Sequence, residues 1–263
     1  MDNRPIGFFD SGVGGVTTIP HIMRMLPNES IIFFGDTART PYGSKSAKTI
    51  RQFTLQIGEF LKNNDVKMIV IACNTVSSTA LELLRETYPD IPIVGCITPT
   101  AKEVVKICDK DSRIGIMATK ATVKSGVYED KIKSLNEELF IESIACPALV
   151  PLIEEGIIDN EIMDLTLKYY LDDFIRENDI NTLILGCTHY PLISKNLKRL
   201  YPNIKIFSSS KEVATAVKME LEAADMLSQN ENAKSIFYAS DLSENFVNMI
   251  ERILGRDSDE LNI

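Results

Sequence analysis

The sequence predicts an α/β fold built on parallel sheets, and three features predict it. Short apolar runs alternate with helix-length amphipathic stretches almost from end to end. The runs are rich in Ile, Val and Phe on both of their faces, as strands buried on both sides are. One pattern, a buried strand ending in cysteine and then small polar residues, occurs twice about half a chain apart. Alternation of this kind implies parallel strands joined by right-handed helical crossovers, and the repeat suggests two similar halves whose strand ends could face one another.

Taken in order, the first run is 6–10, and it leads through Ser11-Gly12-Val13-Gly14-Gly15 into a helix. The second, 31–36, opens a polar loop that reaches Pro41-Tyr42-Gly43. A helix follows over 46–63, where Ile50, Phe53, Ile57, Phe60 and Leu61 recur at helical spacing. The run 68–73 ends in Cys73-Asn74-Thr75 and starts a helix over 76–88; 91–96, 113–119 and 140–146 are the next strands. After a helix over 160–178 come the strand 182–187, ending in Cys187-Thr188-His189, and a strand at 204–207. A helix over 211–227 and a strand at 236–239 complete the pattern. No Gly, Ser or Pro linker separates the halves, and Thr98-Pro99 is the best boundary marker.

Composition excludes several classes. With 44% hydrophobic and 25% charged residues in 263, the chain is an ordinary globular protein, long enough for one large domain or two smaller ones. No apolar stretch approaches a membrane span, which needs roughly 18 residues, and the N-terminus lacks a signal-peptide pattern, so a cytoplasmic location is expected. The net charge of −9 argues against nucleic acid, whose phosphates need clustered Lys and Arg. Five cysteines without paired spacing fit a reducing compartment, and without C-x-x-C no metal site is expected.

Cysteine is often a small buried hydrophobe, and four of the five end a strand. The residues just after each cysteine separate them. Cys96 and Cys146 continue into Ile-Thr-Pro and Pro-Ala-Leu and read as core, while Cys108 lies at a helix or its end. Only Cys73 and Cys187 are succeeded at once by hydrogen-bonding side chains, and a helix N-terminus after a strand end favours the reactive thiolate. The glycines of 12–15 fit a turn that needs special backbone angles, with Asp10 or Ser11 as a cap. They also approach a dinucleotide loop, with Asp36 as its ribose-binding acid, but Thr17 replaces the third glycine and Asp10 would repel a pyrophosphate. Glu154 and Glu155 on their own read as a solvated helix end.

Together, Phe9-Asp10-Ser11-Gly12-Val13-Gly14-Gly15, Gly35-Asp36-Thr37 with Pro41-Tyr42-Gly43, Ala72-Cys73-Asn74-Thr75, Cys146-Pro147 with Pro151-Leu152 and Glu154, and Gly186-Cys187-Thr188-His189-Tyr190-Pro191-Leu192 resemble the glutamate racemase family of the aspartate/glutamate racemase superfamily. The resemblance implies two α/β domains facing each other across a central cleft, residues 1–97 with 208–263 and residues 98–207. It implies no cofactor and no metal, and a small-molecule substrate, D- and L-glutamate, with D-glutamate destined for peptidoglycan. Cys73 and Cys187 would be the acid/base pair, with Cys73 acting on D-glutamate and Cys187 on L-glutamate. Asp10 would assist Cys73, His189 would assist Cys187, and Glu154 would tune the second pair. Asp10, Ser11, Pro41, Tyr42, Gly43, Asn74, Thr75, Thr188 and His189 would hold the substrate. A homodimer is the expected assembly, with no residue pattern that specifies its interface. No role is assigned beyond residue 192, where Ser208-Ser209-Ser210 and the acidic tail 256–263 depart from the family pattern. A racemase of another amino acid, aspartate first, and a non-catalytic metal- or nucleotide-binding protein are the alternatives.

Overall fold

The computed structural model of the protein, described for residues 1–255, contains two parallel sheets. The first runs in the order β4 (Ile93–Gly95), β3 (Met68–Ile71), β1 (Ile6–Asp10), β2 (Ile31–Gly35), β9 (Ser235–Ala239). The second runs β6 (Phe140–Ala145), β5 (Arg113–Ala118), β7 (Thr182–Gly186), β8 (Lys205–Ser208). Every pairing between these strands is parallel. All nine runs expected from the sequence are strands, with ends that agree to within two residues.

The two sheets share one winding. The order β4-β3-β1-β2 has the same form as β8-β7-β5-β6, and β9 is added beside β2. In each, the first strand of the set lies between the second and the third, so the chain reverses its direction of winding there. Ligands in such sheets bind outside the strands' C-terminal ends at this switch point. In the first sheet it lies between β1 and β3, which end at Asp10 and just before Cys73; in the second it lies between β5 and β7, which end just before Thr119 and Cys187. The half-chain echo is therefore a structural repeat.

Burial explains why these strands lack the alternation of a half-wet sheet. Ile6, Phe8, Phe33 and Val70 join one core cluster, and Phe9, Ile69 and Ile71 point the other way into a second. The first cluster continues through Ile116 and Leu183, so one core serves both sheets. The helix Ala47–Asn63 begins where Ser46 accepts a hydrogen bond from the Thr49 N–H at 3.2 Å, and it packs on the helix Asn74–Thr87.

Thr98-Pro99 does not mark a linker. Both residues lie in the first turn of the helix Ile97–Ile107, which carries the chain from β4 to β5, and Pro costs little in a first turn, where its missing N–H has no intrahelical partner. The tail 256–263 lies outside the described residues.

Candidate active site

Cys73 and Cys187 occupy equivalent positions in the two sheets and line the same cavity, together with Ser11, Tyr42, Gly43, Asn74, Thr75, Thr188 and His189. Pro41 completes the wall on the Tyr42 side. The space left is about 10 Å³, the scale that holds a single water. Admission of an amino acid therefore requires the loops of the two sheets to part.

Cys73 caps the 14-residue helix Asn74–Thr87, as its strand-end position suggested. Its surroundings do not favour the thiolate, however. Burial pushes the thiol well above its usual range and the nearby Asp10 charge adds to this, while a contact from Cys73 Sγ to Ser11 Oγ at 3.5 Å works the other way. Cys187 precedes a single turn of 3-10 helix, Tyr190–Ile193, which leads into the α-helix Ser194–Leu200, so the helix expected after it does not start at the cysteine as it does at Cys73. Its neighbour is His189, whose Nδ1 lies 3.8 Å from Sγ.

His189 is buried and bridges two groups. Its Nε2 lies 3.0 Å from Glu154 Oε1, which also accepts from Thr40 Oγ1 at 3.1 Å. Burial lowers the imidazole's pKa, but Cys187 and Glu154 together outweigh it and hold the ring above its ordinary value. Glu154 is thus no solvated helix end: it joins Thr40 from the first sheet's side to His189 on the second, while Glu155 is exposed. Pairwise spacing cannot show this, because the carboxylate's partners are 35 and 114 positions away.

Asp10 is fully buried. Its Oδ2 accepts from the Gly12 N–H and its Oδ1 from Thr188 Oγ1, both at 3.1 Å. Burial raises its carboxyl pKa, against the opposing effects of His189 and these donors. Its direct partners are therefore backbone and the opposite half, while Ser11 is the group touching Cys73.

The glycines of the first loop serve a different purpose from the one expected. None of Gly12, Gly14 and Gly15 has a positive φ. A Cβ on Gly14 would lie 2.6 Å from both His189 Nδ1 and Thr188 Oγ1. Gly14 is bare because the segment carrying Cys187 sits against it, whereas a Cβ on Gly15 would meet Asp10 and Ala72 at 2.7 and 2.8 Å. Asp36 is likewise committed: it is fully buried, accepts from the Tyr42 hydroxyl and pairs with Arg39 at 2.7 Å. It fixes Tyr42 in the cavity wall.

Four residues escaped sequence reasoning: Thr119, Val150, Thr40 and Tyr128. Thr119 lines the cavity and shares a hydrogen bond with Thr75 at 2.9 Å. Its signal was the repeat, since Thr119 comes after β5 as Ser11 comes after β1. Val150 lines the cavity just after Cys146-Pro147. Thr40 and Tyr128 carry no local signal. Cys96 and Cys146 are buried core residues, and Cys108 caps the end of the helix Ile97–Ile107. Ser208 ends β8, and the Ser210 hydroxyl lies 3.1 Å from that of Thr17. Among the described residues no cluster of three or more His, Cys, Asp or Glu could hold a metal ion.

The Asp/Glu/Hydantoin racemase family matches residues 16–217. Glutamate racemase of Geobacter metallireducens is 41% identical over 257 residues, covering 97% of this chain and 94% of that protein. The enzyme of a Sulfurihydrogenibium species is 48% identical over 215 residues, covering 81% and 82%. Among solved structures, glutamate racemase from Francisella tularensis in complex with D-glutamate superposes with a TM-score of 0.91 at 37% identity, over 98% of this chain and 95% of that one. A repeated sheet with a cysteine at each switch point, matched at this identity over nearly its whole length, places the chain in the glutamate racemase family.

Proposed function

We propose that this protein interconverts L- and D-glutamate by two-base proton transfer at Cα, with no cofactor. One observation carries the reading: the two cysteines that follow equivalent strands of a repeated sheet line one cavity. Inversion requires a proton to leave one face of Cα and another to arrive at the opposite face, and a single base would tend to return it where it came from. With one thiolate and one thiol, the thiolate takes the Cα proton and the thiol delivers its own to the other face. The product is the mirror image, and the thiol and thiolate have exchanged places. Cysteine's reference pKa of ~8.5 makes thiol and thiolate both accessible near neutral pH in a hydrated site, and the burial that raises the Cys73 thiol above its usual range makes its thiolate the more reactive base once formed.

In this reading Cys73 takes the proton of D-glutamate and Cys187 that of L-glutamate. His189, held by Glu154, shares protons with Cys187, and Asp10 sets the charge beside Cys73. Ser11, Asn74, Thr75 and Thr188 supply donors for the carboxylates, with Pro41, Tyr42 and Gly43 as the wall. The exclusion of water strengthens these interactions as the carbanion forms. The assignment of 1–97 with 208–263 to one domain and 98–207 to the other places one thiol in each, so that closure brings both faces of Cα under attack together. We also place the protein in the cytoplasm as a homodimer, with D-glutamate passing to peptidoglycan; among the described residues no helix is long and apolar enough to cross a membrane.

The test is circular dichroism of D- and L-glutamate, and of both aspartates, incubated with purified, chelator-treated protein. Convergence of both glutamate signals to zero is expected, with aspartate slow or silent. Stable signals for both glutamates from folded, reduced protein would overturn the proposal.

A further inference from the structure

Asn74 comes directly after Cys73, lines the cavity and is almost fully buried. Its side-chain Oδ1 accepts a hydrogen bond of 2.6 Å from the hydroxyl of Tyr128. Its Nδ2 is buried and has no hydrogen-bond partner among the described residues. Tyr128 comes from the other half of the molecule, in the helix Val127–Leu135, and is itself 1% exposed. An amide's oxygen and nitrogen ends are nearly the same shape, so sterics do not decide which one faces the cavity; its hydrogen-bond partner does. Here that partner is a phenol whose pKa burial holds well above its usual value, so it remains an O–H donor throughout the working pH range.

We propose that Tyr128 is a positioning residue that fixes the polarity of the Asn74 amide, so that the cavity meets N–H donors there and selects a carboxylate of the substrate rather than its ammonium. The inference rests on the glutamate racemase reading of the site. Glutamate offers two carboxylates, which only accept, and one ammonium, which only donates. An amide turned the other way would present an acceptor and invite the ammonium, placing Cα wrongly between the thiols. Because donor and amide come from different halves, the amide is oriented only when the halves are close, and a carboxylate bound there reinforces that arrangement. No other residue supplies Oδ1 with a partner among the hydrogen bonds of the described residues.

The experiment is a double-mutant cycle of Tyr128→Phe and Asn74→Ala, with KM and kcat measured for both enantiomers. Tyr128→Phe is expected to raise KM about two- to tenfold, the range of one net hydrogen bond, in both directions. The expected change in kcat is smaller than that in KM, and the pH profile stays where it is. In the Asn74→Ala background the same substitution is expected to leave KM unchanged. An unaltered KM in Tyr128→Phe overturns the inference, and so does an effect of equal size in both backgrounds or one confined to kcat. If Tyr128→Phe does not fold, Tyr128→Met fills the space without an O–H and runs the same cycle. A wild type inactive on both enantiomers overturns the racemase reading and this inference with it, whereas an active wild type with unaltered variants overturns the inference alone.

Discussion

Asp10 and Thr188, far apart in the chain, are joined by a hydrogen bond of 3.1 Å inside the molecule. Asp10 ends the central strand of the first sheet, and Thr188 comes after Cys187 at the switch point of the second. The bond ties the carboxylate whose charge reaches Cys73 to the segment that carries the other cysteine. The bond therefore links the strand end beside Cys73 directly to the segment that carries Cys187.

Thr188→Val keeps the shape and removes the donor, leaving Asp10 Oδ1 short of a partner in a buried site. A loss of about 1–3 kcal/mol in stability is expected from urea denaturation, with a fall in racemisation of at least tenfold. Thr188→Ser retains the hydroxyl and should recover most of both. Equal stabilities for wild type and Thr188→Val would show that the bond contributes nothing.

Each cysteine can be assigned to an enantiomer by solvent exchange. In deuterated water, Cys187→Ser keeps the Cys73 thiolate, so it should still exchange the Cα hydrogen of D-glutamate while racemisation falls by about 10²–10⁴. Cys73→Ser should exchange L-glutamate instead. Mass spectrometry of the recovered enantiomers reads this directly, and the reverse pattern would invert the assignment.

Asp10 contributes to the expected pH dependence. Burial is the main reason the Cys73 thiol is pushed up, and the Asp10 charge adds to it. Asp10→Asn removes that charge, so the limb of the pH–rate profile that belongs to Cys73 should move to lower pH. Stability changes in a matching way. The folded pKa of Asp10 lies above its unfolded value of ~3.9, so the native state binds the proton more tightly. Its favourable contribution is complete below that unfolded value and is lost as pH rises through the folded one. Relative to wild type, Asp10→Asn should therefore gain stability across that rise, which melting temperatures from pH 4 upward will show.

Gly14→Ala tests the close approach of the two halves. The added carbon would lie 2.6 Å from His189 Nδ1 and Thr188 Oγ1, so the segment carrying them must shift outward. Overpacking of this kind costs about 1–3 kcal/mol, and a displaced His189 should lower kcat about a hundredfold. Gly156→Ala is the control for stability alone, since nothing lies within 4 Å of its Cβ but its φ of +75° is strained.

The sequence by itself determined the architecture. The nine runs became nine strands. Those at the sheet centres, such as β3 and β1 as far as Asp10, are apolar because they are buried on both faces, while the edge strands β6, β8 and β9 are only partly buried and admit Glu142, Lys205 and Ser235. It also singled out the two cysteines, since polar residues directly after a buried parallel strand lie at the end of the sheet where ligands collect. The repeat of Met68–Cys73 at 183–187 was legible for the same reason, and it would have pointed to Thr119 had it been traced to the strand that ends at Ala118.

Only the tertiary structure decided what each polar group touches. Glu154 reads as surface until Thr40 and His189 are brought beside it. Gly14 reads as a turn until the second half is found within van der Waals reach of its missing Cβ. Tyr128 reads as core until its hydroxyl meets Asn74. Each of these contacts joins residues distant in the chain, and hydrogen-bond geometry acts over about 3 Å of space, a distance that spacing along the chain does not encode.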